Sequence, residues 1–260
     1  MAVNILAINV GNSRVQVAAV LDGRVHGARS VDPDHLAQLD EAIARAAEVI
    51  GDADGVVTAI GSVNASLAER VAGRARAALD RPVQVAEADF NVPVGRRLDP
   101  ETLVGADRLL NAAAAYDAAK QACVVVDAGT AVTIDFVDGE GTFHGGAILP
   151  GVRMMLQALD EKTAQLPEVA FKPPREPIGH NTAEAMLAGV YHGIRGAVRE
   201  LAEKYAEEYG AYPRIIATGG DAETLFDGYE LVEAIVPELT LQGLAVARRH
   251  QLAADADAEG

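Results

Sequence analysis

The chain has 260 residues, half of them hydrophobic, and a formal net charge of −16 from 38 acidic residues against 22 lysines and arginines. That length allows one large domain or two small ones with a sizeable core, and an acidic chain without a Lys/Arg block excludes nucleic acid and anionic membrane as the main partner. The single cysteine, Cys123, rules out an internal disulfide and fits a reducing, cytoplasmic location.

The chain opens on MAVNILAINV, which lacks the basic stretch of a signal peptide. No apolar run approaches the ~20 residues that span a bilayer. Residues 5–10, 14–21 and 24–30 read as three strands in an antiparallel meander. Pro33 sits at a helix start, and Leu36, Leu39, Ile43, Ala46, Ala47 and Ile50 keep helical spacing up to Gly51-Asp52. A buried strand follows over 55–63, a helix over 67–79 and a short strand over 82–86. The order βββαβαβ puts helices on a mixed sheet. Residues 87–103, with Pro93, Gly95 and Pro100, read as a linker or a loop over a site.

A helix is expected over 104–121. From Cys123 the strand meander repeats over 123–127, 130–137 and 142–149, then a helix over 152–165 and a Pro-rich stretch. A long helix over 182–209 starts with capping-box spacing, Asn181 to Glu184, and carries an apolar stripe of Met186, Val190, Ile194, Val198, Leu201 and Tyr205. A strand over 214–218 feeds Gly219-Gly220-Asp221 and a further helix, and 237–250 closes the fold. The small, acidic tail 253–260 is expected to be disordered.

Chemistry concentrates at strand ends. VVVDAGTAVT, residues 124–133, runs from β-branched residues into Asp127, Gly129 and Thr130. A carboxylate and a hydroxyl at a strand end, beside exposed backbone N–H groups, suit a phosphate and its cation. An ordinary strand–turn–strand is the plainer alternative. The N-terminal AINVGNSRVQVAAVLDG matches it when Asn9 is placed on Asp127, Gly11 on Gly129 and Val15 on Thr133. Each copy runs on to an Asp-Gly pair, Asp22-Gly23 and Asp138-Gly139, with a two-residue slip. The repeat suggests two related halves.

In that first copy, Asn12, Ser13 and Arg14 read either as a polar turn or as groups that meet phosphate oxygens. In Gly105-Ala106-Asp107-Arg108, an acid and a base stand together at a helix start. They read either as helix capping or as a general base with an anion clamp. Gly145–Gly151 puts three glycines and a proline where strand meets helix, which favours close backbone approach to a ligand. Thr218–Asp221 joins a strand to a helix and reads equally as a tight turn or as a place that meets a nucleotide's sugar or base. His144, His180 and His192 lack metal-ligand spacing, and the chain has no GxxxxGK[ST], GxGxxG or GxSxG.

Together VDAGTAVTID, GADRLLNA and GGAILPG, supported by HNTAEAMLAGV and ATGGDA, resemble the type III pantothenate kinases of the actin-like, ribonuclease-H-like ATPase superfamily. The resemblance runs from about Ile5 to Gln251. It implies two similar ribonuclease-H-like domains, 1–115 and 116–252, with mixed sheets flanked by helices. It implies transfer of the γ-phosphoryl of ATP, with Mg2+, to pantothenate, the first step towards coenzyme A, by a homodimer with its substrate pocket between subunits.

By matching motif, Asn9, Val10, Gly11, Asn12, Ser13, Arg14, Val15 and Gln16 would form the first phosphate-binding loop. Thr130, Gly219 and Gly220 would also contact ATP. Gly105, Ala106, Asp107 and Arg108 would hold pantothenate, with Asp107 the proton acceptor. Thr182 would reach pantothenate from the partner subunit, and Asp127 would bind potassium or ammonium. Two departures stand out. The family's first loop is DxGNT, where this chain has Asn9 and Ser13. The Tyr expected ahead of an Asn-Pro is absent, and Arg96-Arg97-Leu98-Asp99-Pro100 occupies that stretch. The alternatives to an active pantothenate kinase are a nucleotide-binding regulatory or accessory protein of the same fold and a kinase for another small hydroxy acid.

Overall fold

The computed structural model describes residues 3–51, 53 and 55–259. Asp52, expected to close the first helix, and Gly260 lie outside them. The chain divides into two compact units, Met1–Ala118 with Glu238–Gly260, and Ala119–Pro237.

In unit 1 the strands are β1 (Ile5–Val10), β2 (Val15–Leu21), β3 (Arg24–Val31), β4 (Val57–Ser62), β5 (Val83–Val85) and the two-residue β6 (Gly95–Arg96). Its helices are α1 (Leu36–Ile50), α2 (Ala65–Ala78), α3 (Ala106–Ala119, ending one residue past the boundary) and α7 (Leu239–Glu259). The sheet order is β3-β2-β1-β4-β5, with β1 antiparallel to β2 and parallel to β4. Asp22 and Gly23, at φ 50° and 75°, make the β2–β3 turn, since a two-residue hairpin turn matching strand twist needs both left-handed. Alternation along the strands sends Leu6, Ile8 and Val10 to one face, where Leu39, Ile43 and Ile50 of α1 and Leu67 and Val71 of α2 cover them. Asn64 caps α2 by accepting the Leu67 N–H at 3.1 Å.

Unit 2 repeats the plan. Its strands are β7 (Cys123–Ala128), β8 (Ala131–Val137), β9 (Thr142–Pro150), β10 (Arg214–Thr218) and β11 (Ala234–Ile235), and its helices α4 (Val152–Lys162), α5 (Thr182–Tyr209) and α6 (Ala222–Phe226). These strands lie in the order β9-β8-β7-β10-β11, the same as β3-β2-β1-β4-β5. The register fixes the equivalence. Asn9 pairs with Gln16 and Gly61, and Asp127 with Thr133 and Thr218. Gln16, not Val15, is therefore the counterpart of Thr133, and the first loop is one residue longer. The turn chemistry accounts for this: the Gly11 N–H reaches Arg14 O at 3.0 Å, whereas the Gly129 N–H reaches Ala131 O at 3.0 Å. The slip at the two Asp-Gly pairs also has a cause. Asp138 Oδ1 accepts the N–H groups of Glu140 and Thr142, which makes a longer turn than that at Asp22.

The expected disordered tail is helical through Glu259. Ala253 to Glu259 is rich in alanine, and propensity carries α7 onward. α7 packs on β1 and β4, so the C-terminal segment belongs with unit 1 and not with the second half. The stretch 87–103 is more ordered than its composition implies. Glu87 accepts the Val92 N–H at 2.8 Å and pairs with Arg96 at 2.6 Å.

The stripe on α5 is a core face. Met186, Val190, Ile194 and Val198 are buried against Val124, Val126, Ile134 and Ile215 of their own unit. The stripe is covered by the sheet of its own unit. The exposed side of α5 carries Ala185, Gly189, His192, Gly193 and Gly196. Among the described residues no helix is long and apolar enough to cross a membrane.

Candidate active site

In unit 1 the sequence-predicted residues gather at the C-terminal end of β1. Asn9 and Val10 end the strand, Gly11–Arg14 form the loop, and Val15 and Gln16 start β2. Asn12, Ser13 and Arg14 are exposed, as a ligand-facing loop requires. The Asn9 Nδ2 donates to Gln16 Oε1 at 3.4 Å, and the Asn9 Oδ1 is buried with no hydrogen-bond partner. A buried acceptor of this kind ordinarily costs about 1–3 kcal/mol.

Gly105–Arg108 arrive at the same end. Val63, just after β4, donates its N–H to Val10 O at 3.3 Å, and a Cβ on Gly105 would lie 3.1 Å from Val63 Cγ1. That Cβ would also lie 2.6 Å from Asp107 Oδ1, so only glycine leaves the carboxylate its place. Asp107 lies in the first turn of α3 and is half-buried. Its Oδ1 accepts the Arg108 N–H at 2.7 Å. Burial pushes its carboxyl above the ordinary aspartate value, against the opposing pull of the Arg108 N–H and the Arg108 charge. The Arg108 N–H contact is what a helix-start acid makes, and the burial is what sets this carboxyl apart from an exposed one.

In unit 2 the predicted residues Asp127, Thr130 and Gly219 are brought together by close backbone packing. Gly219, at φ 95°, sits where a Cβ would fall 2.5 Å from both Asp127 Oδ1 and Ala128 O. The Asp221 N–H donates to Ala128 O at 2.9 Å. Gly151, which caps α4, donates its N–H to Thr130 O at 3.0 Å, and a side chain there would strike Gly129 O and Thr130 O. The helix α4 starts on Gly151 without a side-chain cap. Arg153 lies 3.6 Å from Asp221. Burial raises the Asp221 carboxyl and the Arg153 charge opposes it.

Gly220 is exposed, with open space about its Cβ position. Thr182 takes no part in these contacts. It opens α5, exposed, beside a capping box in which Asn181 accepts the Glu184 N–H at 3.0 Å and Glu184 accepts the His180 N–H at 2.9 Å. His144 pairs with Asp138 at 2.8 Å and His180 with Glu176 at 3.3 Å. Among the described residues, no group of three or more His, Cys, Asp or Glu could hold a metal. A divalent ion here would have to draw most of its ligands from phosphate and water. Ser62, Val63 and Arg153 carry no motif that sequence reasoning singles out. The signal was a strand ending on Ser62 and Val63 just ahead of the cap Asn64.

A family model for type III pantothenate kinase matches residues 5–204. The type III pantothenate kinase of Rhodospirillum rubrum is 44% identical over 168 residues, 65% of each chain. That of Paracoccus denitrificans is 35% identical over 246 residues, 92% of this chain and 95% of the relative. The matched stretch thus spans just under two thirds of the Rhodospirillum protein but nearly all of the Paracoccus one. In fold, the chain is similar to a Baf-family protein from Campylobacter jejuni, with TM-score 0.62 and 20% identity over 95% of this chain and 99% of that one. It is also similar to a chain assigned as a 2-dehydro-3-deoxygalactonokinase from Sinorhizobium meliloti, with TM-score 0.57 and 15% identity over the same shares. Two mixed sheets flanked by helices are the actin-like, ribonuclease-H-like architecture. With motifs, topology and family model in agreement, the chain belongs to the type III pantothenate kinase family.

Proposed function

We propose that this protein transfers the γ-phosphoryl group of ATP to the primary hydroxyl of pantothenate, the first step towards coenzyme A. The observation that carries the reading is Asp107, a half-buried carboxylate held by the Arg108 N–H, with Gly105 leaving it room. Phosphoryl transfer asks a protein mainly for positioning, charge neutralisation and a base at the acceptor hydroxyl. Asp107 takes the hydroxyl proton as the new O–P bond forms. The bond from the γ-phosphorus to its bridging oxygen breaks, and ADP leaves. A raised carboxyl pKa brings a base nearer the working pH and strengthens it. Arg108 supplies positive charge for the pantothenate carboxylate.

The loop Asn9–Gln16 contributes backbone N–H groups and the Ser13 hydroxyl to the phosphates, and Thr130, Gly219 and Gly220 contribute to the nucleotide. Mg2+ accompanies ATP and neutralises phosphate charge. The unpartnered Asn9 Oδ1 fits a metal-bound water. Asp127 is the group for a monovalent cation, potassium or ammonium. A cytoplasmic homodimer, with Thr182 serving the partner's pocket, completes the reading.

Asn9 supports a second reading, a nucleotide-binding accessory protein that lacks turnover, because the family carboxylate is missing there. One assay separates the two. Purified protein with Mg2+ and K+ should release ADP only when pantothenate is added. Nucleotide binding without such release would favour the accessory role, and release with a different hydroxy acid alone would change the substrate.

A further inference from the structure

The end of β4 touches three parts of unit 1's site with three consecutive residues. Gly61 lies opposite Asn9 in the parallel ladder, and the space of its missing side chain is taken by α3, where a Cβ would lie 2.5 Å from Leu110 Cδ1. Ser62 lies opposite Val10. Its hydroxyl is 3.4 Å from Val10 O and accepts the Asn64 N–H at 2.9 Å. Val63 donates its own N–H to the same Val10 carbonyl at 3.3 Å.

The backbone of Val63 is thus tied to the strand end that launches the loop Gly11–Arg14. Its side chain reaches the helix start that carries Asp107. Val63 Cγ1 lies 3.1 Å from the Cβ position of Gly105, and Asp107 Oδ1 lies 2.6 Å from that same point. Val63 is 37% exposed, so a substitution there opens little of the core.

We propose that Val63 is a positioning residue for phosphoryl transfer: its isopropyl group abuts Gly105 and sets where the Asp107 carboxylate stands relative to the loop after β1. A side chain braced between two backbone segments converts strand register into carboxylate position. Misplacement of about 1 Å in such a site is known to cost up to ~10²-fold in rate. The inference rests on Asp107 being the base. Arg108 is the charged group acting on Asp107, and the residues met from β4, Ser62 and Val63, carry no titratable group.

The test compares Val63→Ala, which removes both γ-carbons, with Val63→Ile, which keeps both γ-carbons and adds one methyl. Steady-state kinetics give kcat and KM for ATP. A 13C titration of the Asp107 carboxyl carbon, assigned with Asp107→Asn, gives its midpoint without needing turnover. Val63→Ala should lower kcat about tenfold, leave KM for ATP within about twofold, and move the carboxyl midpoint down as water enters. Val63→Ile should match the parent in all three. If Val63→Ala does not fold, Val63→Thr keeps the shape, hydrates the contact and is read by the same titration. A folded Val63→Ala with the parent's midpoint, or Val63→Ile as impaired as Val63→Ala, overturns the inference. A parent without pantothenate-dependent ADP release counts against the proposed function, while the titration still decides whether Val63 sets the carboxylate.

Discussion

Replacing Gly219 with alanine tests whether close backbone packing, and not turn flexibility, explains the glycines around Asp127. At φ 95° an L side chain is strained whatever the space, at about 1–2 kcal/mol. The Cβ would also fall 2.5 Å from Ala128 O, a β7 backbone atom that cannot swing aside as the Asp127 carboxylate could. Overpacking of that kind adds about 1–3 kcal/mol. The sum is about 2–5 kcal/mol, and for a protein of this size each kcal/mol shifts Tm by about 2–4 °C. Thermal unfolding of Gly219→Ala should therefore begin on the order of 10 °C early. Gly220→Ala is the internal control, because its Cβ would meet nothing within 4 Å and no positive φ is imposed. It should stay within about 0.5 kcal/mol of the parent. A deficit no larger than the about 1–2 kcal/mol of φ strain would refute the packing argument and leave Gly219 as an ordinary turn residue.

Ile194→Asp places an unpaired charge in unit 2's core, where Ile194 is 1% exposed. It should cost folded protein outright, seen by circular dichroism; a folded but dissociated monomer in light scattering would instead make α5's stripe a subunit seam. Asn9→Asp restores a carboxylate at an acceptor that is now unpartnered, and should lower the Mg2+ concentration needed for ATP binding by about tenfold, the scale of a charge-assisted hydrogen bond. Superimposable Mg2+ titrations of parent and variant, followed by nucleotide fluorescence, would remove position 9 from the metal's surroundings.

The local grammar of this chain was legible wherever one residue's chemistry decides the backbone. Asp22-Gly23, the Asn181–Glu184 capping box and the β-branched run into Asp127 each formed what their residues dictate. The internal repeat was visible because both copies keep a strand, a glycine turn and a returning strand. Their alignment slipped by a residue because hydrogen-bond register is a property of pairs, which no single segment encodes. The helical stripe of α5 showed that one face is buried but not against what. An apolar face reads the same whether its own sheet or a second subunit covers it. Val63 is illegible in the sequence for a similar reason. Its significance lies in the pair of backbones it touches, and valine at a strand end announces nothing.

Asp107 joins stability to activity in a way that separates the base from a mere helix cap. Burial holds its carboxyl above the ordinary aspartate value near 3.9, with the Arg108 N–H and charge pulling the other way. A carboxyl raised in the folded state binds its proton more tightly there than in the unfolded chain. Folding stability therefore falls as pH rises from the unfolded pKa through the folded one, and the deficit persists at neutral pH. A cap that served stability alone would do the reverse, lowering the carboxyl and gaining stability above the unfolded pKa. Asp107→Asn carries no charge at any pH. It should thus melt above the parent at pH 7, and the gap should close as the pH falls into the range where the parent's carboxyl is protonated. In the same variant, pantothenate phosphorylation should fall by ~10²–10⁴-fold while ATP binding persists. In the parent, kcat/KM for pantothenate should decline on the acid side with a midpoint above that of a free aspartate. If Asp107→Asn melts below the parent at pH 7 and keeps a rate within about threefold of it, Asp107 is a stabilising cap and the proton acceptor lies elsewhere.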